Sequence, residues 1–528
     1  MRNCHQGEKV MKQLVRIISF LVPLILGLNG LAAHLVIAES SGKMEKIEEL
    51  VEKQRHISKI PGISLVIVEK GETVYQRGFG YKNVKEKTPV TCSTLFEIGS
   101  TTKAFTGLAI LRLEKEGKLK RSDSVQEYIP WLKLTYQGEP QTITLNQLLY
   151  HSSGIASNSI AQIPESNASN ALELNVKTLL NQELNRKPGS TFEYATINYD
   201  VLGLVIENVT KQPYDLHIKN QVLKPIGMKD SFVGLHQVQS SMVAQGYKIG
   251  FLREQKYTPP IYRGNIPAGY IISNTTDIAK WMNLQLGYDS NKEFDKQLIK
   301  ESHHPDRSVD AFDKNSYYAS GWEVVKKEAK QYIQHEGQNP TYSSFIIMQP
   351  DKELGVAILS NMNSSFTTSI GQSVMDIWEG KSVSTNQTDS YQKLDKIATV
   401  LLSILTVLGV IFILLLLRTI RQIIRKQRER RALKGKRILI LSIHTLLFVA
   451  ILILVILFPK ILLGFTWTFI QVWGPVSITV LFYGFITTSI IFYVYGLLLI
   501  LTKKQTALIR ESFGKYNFNS FIILCLFL

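Results

Sequence analysis

The chain has 528 residues, more than one ordinary domain, and its net charge of +17 would on its face suit a nucleic-acid binder. The placement of that charge excludes such a partner: residues 418–437 hold ten Lys or Arg and one Glu, smaller basic excesses lie in 1–16 and 502–528, and the rest is close to neutral. Of the cysteines Cys4, Cys92 and Cys525, Cys92 alone lies in the region that reads as globular, which excludes a small disulfide scaffold.

Along the chain, basic residues through Arg16 precede the apolar stretch 17–28 and then small residues ending Val36-Ile37-Ala38. This is the layout of a secretory signal over 1–38, with cleavage after Ala38; an uncleaved anchor is the rival reading, and either one exports the residues after it. Residues 44–57 carry Met44, Ile47, Leu50 and Val51 at helical spacing. Apolar-rich runs at 63–68 and 73–79 flank Lys70-Gly71 and predict a β-hairpin. A second strand pair is expected at 342–348 and 355–359, around Pro350-Asp351. Between these ends the pattern is helical, as in 104–113 and 199–209. Strands from both ends with helices between predict an α/β fold whose termini pair in one sheet.

A polar stretch, 381–396, reads as a linker after a domain spanning 39–380. Three apolar spans come next, at 397–417, 438–458 and 474–501, each near the roughly 20 residues a bilayer needs. The region 397–502 is thus expected to be three transmembrane helices, with 503–528 as a cytoplasmic tail. The basic 418–437 loop and Lys503-Lys504 place those segments in the cytoplasm and the large domain outside it, the orientation the leader also predicts. Trp467 and Trp473 fall in the short outer connection, at the height of the membrane interface.

The chemistry is expected in Phe96-Glu97-Ile98-Gly99-Ser100-Thr101-Thr102-Lys103. Ser100 and Lys103 stand three apart at the start of an apolar helical run, which puts both on one helical face. A serine alcohol becomes a nucleophile when a neighbouring base takes its proton, and a desolvated lysine can be that base. Ser-x-x-Lys alone occurs by chance, in an ordinary helix with a solvated lysine. Its companions decide the matter: Tyr194-Ala195-Thr196 about ninety residues on, then His335-Glu336-Gly337 before a strand, with His151-Ser152-Ser153-Gly154 closing a short helix and Pro267-Ala268-Gly269 as a further block.

In order and spacing these motifs resemble the class C β-lactamase and D-alanyl-D-alanine carboxypeptidase superfamily over about residues 45–378. The resemblance implies a β-lactamase/penicillin-binding-type domain, an antiparallel sheet plus a helical region. It implies Ser100 as acylated nucleophile, Lys103 and Tyr194 as proton-transfer pair, and His335 and Gly337 on an edge strand lining the site. The backbone N–H groups of Ser100 and Gln338 would form the oxyanion hole. One position departs from the pattern: Thr196 stands where Tyr-x-Asn has its asparagine, which speaks against a β-lactamase or a simple carboxypeptidase. Together with the three C-terminal spans, the departure resembles the membrane-bound, prodrug-activating D-amino-acid peptidases of nonribosomal peptide pathways, those maturing colibactin and zwittermicin. That resemblance implies that Glu97, Thr196 and Asn339 grip an N-acyl-D-asparagine, although Glu97 also fits a plain packing residue.

The expected function is therefore a serine peptidase, without cofactor or metal, that removes a D-asparaginyl leader from a secondary-metabolite prodrug at the bacterial cytoplasmic membrane. The runner-up is a cell-wall carboxypeptidase, esterase or β-lactam-hydrolysing relative. The expected partners are a peptide-like small molecule, the lipid bilayer and a prodrug exporter; a homo-oligomer is left open. His303-His304-Pro305-Asp306 reads as a solvated polar loop rather than a metal site.

Overall fold

The computed structural model describes residues 42–505 apart from 290, 310–312, 314, 329 and 384–386. The leader expected at 1–38 and the tail beyond residue 505 lie outside the described residues. The chain divides into two compact units, one running through Thr399 and including Pro459–Val480, the other comprising Val400–Phe458 and the residues from Leu481.

The first unit is built on an eight-stranded antiparallel sheet. Its order is Ser316–Tyr318, Glu323–Lys327, Lys330–Asn339, Tyr342–Gln349, Leu354–Ser360, Gly62–Glu69, Glu72–Asn83 and Thr88–Pro89. The expected pairing of the two ends of the domain is present: Gly62–Glu69 lies between Leu354–Ser360 and Glu72–Asn83, with Leu65 opposite both Ile358 and Arg77. The hairpin turn at Lys70-Gly71 has positive φ at both residues (51° and 83°), the backbone that matches the twist of its strands.

Gly62–Glu69 is nearly continuously apolar because both of its faces are covered. Ile63, Leu65 and Ile67 pack with Ile47 and Val51 of the helix at 42–58 and with Ile370 and Val374 of the helix Phe366–Trp378. Val66 and Val68 join a second core on the opposite face, with the helices between the strand groups. Side chains alternate across a strand, so a sheet helix-covered on both faces buries every position. The central helix of that lobe, Lys103–Lys115, buries all of its first nine residues, Lys103 among them. Phe105 stacks on Trp281 at 3.9 Å between ring centres, and Trp281 lies against Trp322 at 6.3 Å.

Among the described residues, three helices are long and apolar enough to cross a membrane: Ser390–Ile424, Gly435–Leu463 and Val476–Leu501. The first begins at Ser390, inside the stretch that reads as linker. Asp389 is buried there, its carboxylate accepting from the N–H groups of Tyr391 and Ser365, so the polar residues act as a helix start. Within the second unit, Phe448 stacks on Tyr493 (4.3 Å), Phe412 packs edge-on against Phe492 (4.9 Å), and Gly484 lies under Leu402 and Leu405. Small residues that let apolar helices approach are how such helices associate in lipid.

The Phe105–Trp281–Trp322 stack anchors the central helix, and Phe105 is fully buried. Phe105→Ala should lower the stability of the unit by about 3–5 kcal/mol, seen as an earlier denaturation midpoint of the purified full chain with its slope unchanged.

Candidate active site

Ser100 lies in a single 3₁₀ turn, Gly99–Thr102, that runs directly into the central helix. The turn and the sheet meet through two glycines. A Cβ on Gly337 would stand 2.1 Å from the Ile98 carbonyl oxygen, and one on Gly99, whose φ is +54°, would stand 2.5 Å from the Gln338 nitrogen. Only residues without side chains permit this approach, which brings the backbone of Gln338 against the turn that carries Ser100. The strand Lys330–Asn339 is interior to the sheet over its first half, where its register with Glu323–Lys327 ends at Gln334. From His335 onward it has Tyr342–Gln349 on one side and the Gly99–Thr102 turn on the other. The strand expected as an edge is thus an edge only along the site.

Lys103 is fully buried. Its Nζ donates to Ser100 Oγ (3.0 Å) and to the carbonyl oxygen of Ala268 (2.8 Å), and lies 5.1 Å from the Tyr194 ring centre. Burial pushes the amine down to about 7, against the pull of the buried Asp200 carboxyl, which raises it. Asp200 accepts from Asn175 Nδ2 at 2.8 Å and, in its satisfied orientation, from the Asn265 amide at 2.8 Å. Tyr194 faces Ser100 and Tyr318 with its hydroxyl, and burial pushes that phenol well above its ordinary value. His335 Nε2 meets the Tyr318 hydroxyl at 2.9 Å; burial, and then the charge of Lys103, hold the imidazole down at about 3, so it is neutral at any physiological pH.

Ser100, Tyr194, Thr196, His335, Gln338 and Asn339 share one cleft of about 300 Å³. Glu97 does not line it. Glu97 sits behind Asn339, 1% exposed, and accepts from Asn339 Nδ2 at 2.7 Å, while the same nitrogen donates to the Gly269 carbonyl at 2.9 Å. Its place is therefore that of a positioning residue. Burial raises its carboxyl to about 7, with the Asn339 hydrogen bond pulling it back.

Several residues of the site are not legible as such in the sequence. His151, which reads as a helix-closing turn and is one, also carries a fully buried ring 4.3 Å from Tyr194 and 4.7 Å from Tyr318. Its Nδ1 accepts from the Ala195 N–H (3.3 Å) and meets Asn198 Nδ2 (3.0 Å), fastening the loop that presents Tyr194. Asp200, Tyr318 and Glu323 are likewise brought in by tertiary packing; burial raises the Glu323 carboxyl to about 7 at the cleft wall. His303 departs from the reading of a solvated loop: it is half-buried, packs edge-on against Trp322 and bonds Gln285 at 2.7 Å, while His304 beside it is exposed.

A serine touching a desolvated amine and a phenol, with the backbone of Gln338 drawn up beside its turn, is equipped for acyl transfer. The Beta-lactamase family model matches residues 47–371, which include all of these groups except Trp473, the cleft's last wall. The chain belongs to the Beta-lactamase family of serine hydrolases. It is 32% identical over 446 residues to the Protein flp of Staphylococcus aureus (strain MW2), a match covering 83% of this chain and 87% of that protein. A match of that coverage reaches beyond Ser390 into the apolar helices. It is 36% identical over 184 residues to a putative penicillin-binding protein, PbpX, of Bacillus subtilis (strain 168), covering 35% of this chain and 44% of that one. Among solved structures, the octameric penicillin-binding protein homologue from Pyrococcus abyssi superposes with a TM-score of 0.57 at 28% identity, covering 67% of this chain and 81% of that one.

Asp200 opposes the desolvation of Lys103, so Asp200→Asn should lower the pKa of the amine further. The acid limb of kcat/KM for an activated ester, expected near pH 7 in the wild type, should then move to lower pH; a pH profile of both proteins checks the sign.

Proposed function

We propose that the chain is a membrane-bound serine peptidase that cleaves an N-acyl-D-asparaginyl leader from a secondary-metabolite prodrug, outside the cytoplasm of a bacterial cell. In this reading Ser100 Oγ, deprotonated by the neutral Lys103–Tyr194 pair, attacks the carbonyl carbon of the D-residue. The tetrahedral oxyanion is received by the N–H groups of Ser100 and Gln338. The pair returns the proton to the leaving amine as the amide C–N bond breaks, and water then hydrolyses the acyl-enzyme. The Lys103 amine near pH 7 supports the pair's capacity to accept a proton under ordinary conditions.

The observation that carries the choice of head group is Asn339. Both hydrogens of its amide are spent on Glu97 and Gly269, so the polar atom it offers a ligand is its carbonyl oxygen, an acceptor for the –NH₂ of a carboxamide. Thr196, 9% exposed at the cleft wall, supplies a hydroxyl that can donate to the carboxamide oxygen. A buried polar pocket of this kind discriminates strongly, because analogues lacking the carboxamide leave its groups unpaired.

The purified full chain should cleave N-acyl-D-Asn amides with a kcat/KM about 10²-fold or more above D-Ala or L-Asn counterparts, and β-lactams slowly. Asn339→Ala should reduce D-Asn turnover about tenfold or more while affecting the D-Ala substrate less. Preference for a D-Ala-D-Ala peptide would favour the cell-wall carboxypeptidase reading. The proposed orientation rests on the ten basic residues of 418–437. Reporter fusions after residues 390, 428 and 466 should read outside, inside and outside; an inside reading at 390 contradicts it.

A further inference from the structure

The short segment between the apolar helices Gly435–Leu463 and Val476–Leu501 carries a helix of its own, Trp467–Trp473, capped by the Thr466 hydroxyl. This segment belongs to the same compact unit as the catalytic residues. It is fastened there by specific contacts. Lys248, 3% exposed, donates to the Gln471 carbonyl oxygen at 2.8 Å, and Val476 packs so closely on Gly250 that a Cβ there would be 2.8 Å away. Gly464 lies against Asn158, where its own Cβ would stand 3.1 Å from the amide nitrogen.

The docked segment completes the cleft, because Trp473 lines it together with Ser100. A second cavity of about 130 Å³ adjoins the first, with Ile160, Asn265 and Trp473 lining both. Its wall is mostly apolar: Ile163, Tyr262 and Tyr270 from one side, Phe469 and Val472 from the other. Closed apolar cavities of about 150 Å³ accept a benzene-sized group, so this one has room for about six carbons. The walls differ in origin, since one side is catalytic domain and the other lies within a few residues of an apolar helix.

We propose that this second cavity is a subsite for the hydrocarbon chain of the substrate's acyl group, with the head group at Ser100 and the chain held between residues 160–163 and 467–473. The inference deepens the proposed function in that it requires an acylated substrate, but it does not depend on the D-asparaginyl head group. Trp473 and Phe469 are then specificity-determining residues, and the short connection between two apolar helices is part of the enzyme rather than an anchor alone. Burial of each methylene in such a site raises affinity about three- to fourfold.

The test uses the full chain in lipid nanodiscs and a series of acetyl, butyryl, hexanoyl and octanoyl amides on one head group. That head group is D-Asn or, if D-Asn is not preferred, whichever D-residue turns over; failure of the D-Asn reading is thereby seen separately from failure of the subsite. We expect kcat/KM to rise about three- to fourfold per methylene to about six carbons and then to flatten. In Phe469→Ala, and in Ala161→Phe, which fills the cavity, the octanoyl-to-acetyl ratio should fall about tenfold or more. A flat series in the wild type, or an unchanged ratio in both variants, overturns the proposal. Should the variants not fold, a hexanoyl substrate with a terminal diazirine tests the wild type directly. Photolabel on 160–163 or 467–473 is expected, and label confined to other segments overturns the assignment.

Discussion

The structure depends on one unfavourable act, the removal of a lysine amine from water beside a serine. Lowering Lys103 from 10.5 to about 7 corresponds to about 5 kcal/mol against the ammonium form, the net of lost solvation and the opposing pull of Asp200. The fold supplies what makes that tolerable: the Ala268 carbonyl and Ser100 Oγ within hydrogen-bond distance, and a buried carboxyl, Asp200, acting through space. A solvated lysine would stay protonated and leave Ser100 an ordinary alcohol. The burial that costs stability is therefore the source of the reactivity.

Two bodies must meet to achieve this burial. The central helix brings Ser100 and Lys103 from within the helical lobe, and the sheet brings His335 and Gln338 along the open half of its third strand. Gly99 and Gly337 set how close they come, since a side chain at either would collide with backbone. Tyr194 is held in the gap from below by the His151 ring and from the side by Tyr318, which is itself tied to His335. The sheet carrying half the site is closed by strands from the two ends of the domain, so the geometry exists only once the whole domain has folded.

Much of this is legible in the sequence because it obeys local rules. The spacing of three between Ser100 and Lys103 is a helical repeat, Lys70-Gly71 is a hairpin turn, and the apolar spans announce themselves by length. The residues that escape reading are those whose meaning is tertiary. His151, at positive φ after a short helix, has the local character of a turn, and nothing nearby in sequence says that its ring will lie on Tyr194 some forty residues later. Asp200 stands in the first turn of the helix Ile197–Thr210, where an acid is ordinary, and its full burial comes only from packing. Glu97 is legible as a residue that matters, but only the fold separates touching a ligand from holding the residue that does. Trp473 has the character of a membrane-interface residue, and its place in the cleft comes from the docking of its segment on the catalytic unit.

The central claim is that Ser100 is the nucleophile and that the buried Lys103 activates it. Peptide mass spectrometry of the full chain, after reaction with a slow acylating D-asparaginyl probe at a series of pH values, tests both halves together. The account predicts a single adduct on Ser100, forming more slowly as the pH falls through about 7, where Lys103 takes up its proton. An adduct on any other residue, or a Ser100 adduct whose rate is unchanged between about pH 5 and pH 8, would contradict it.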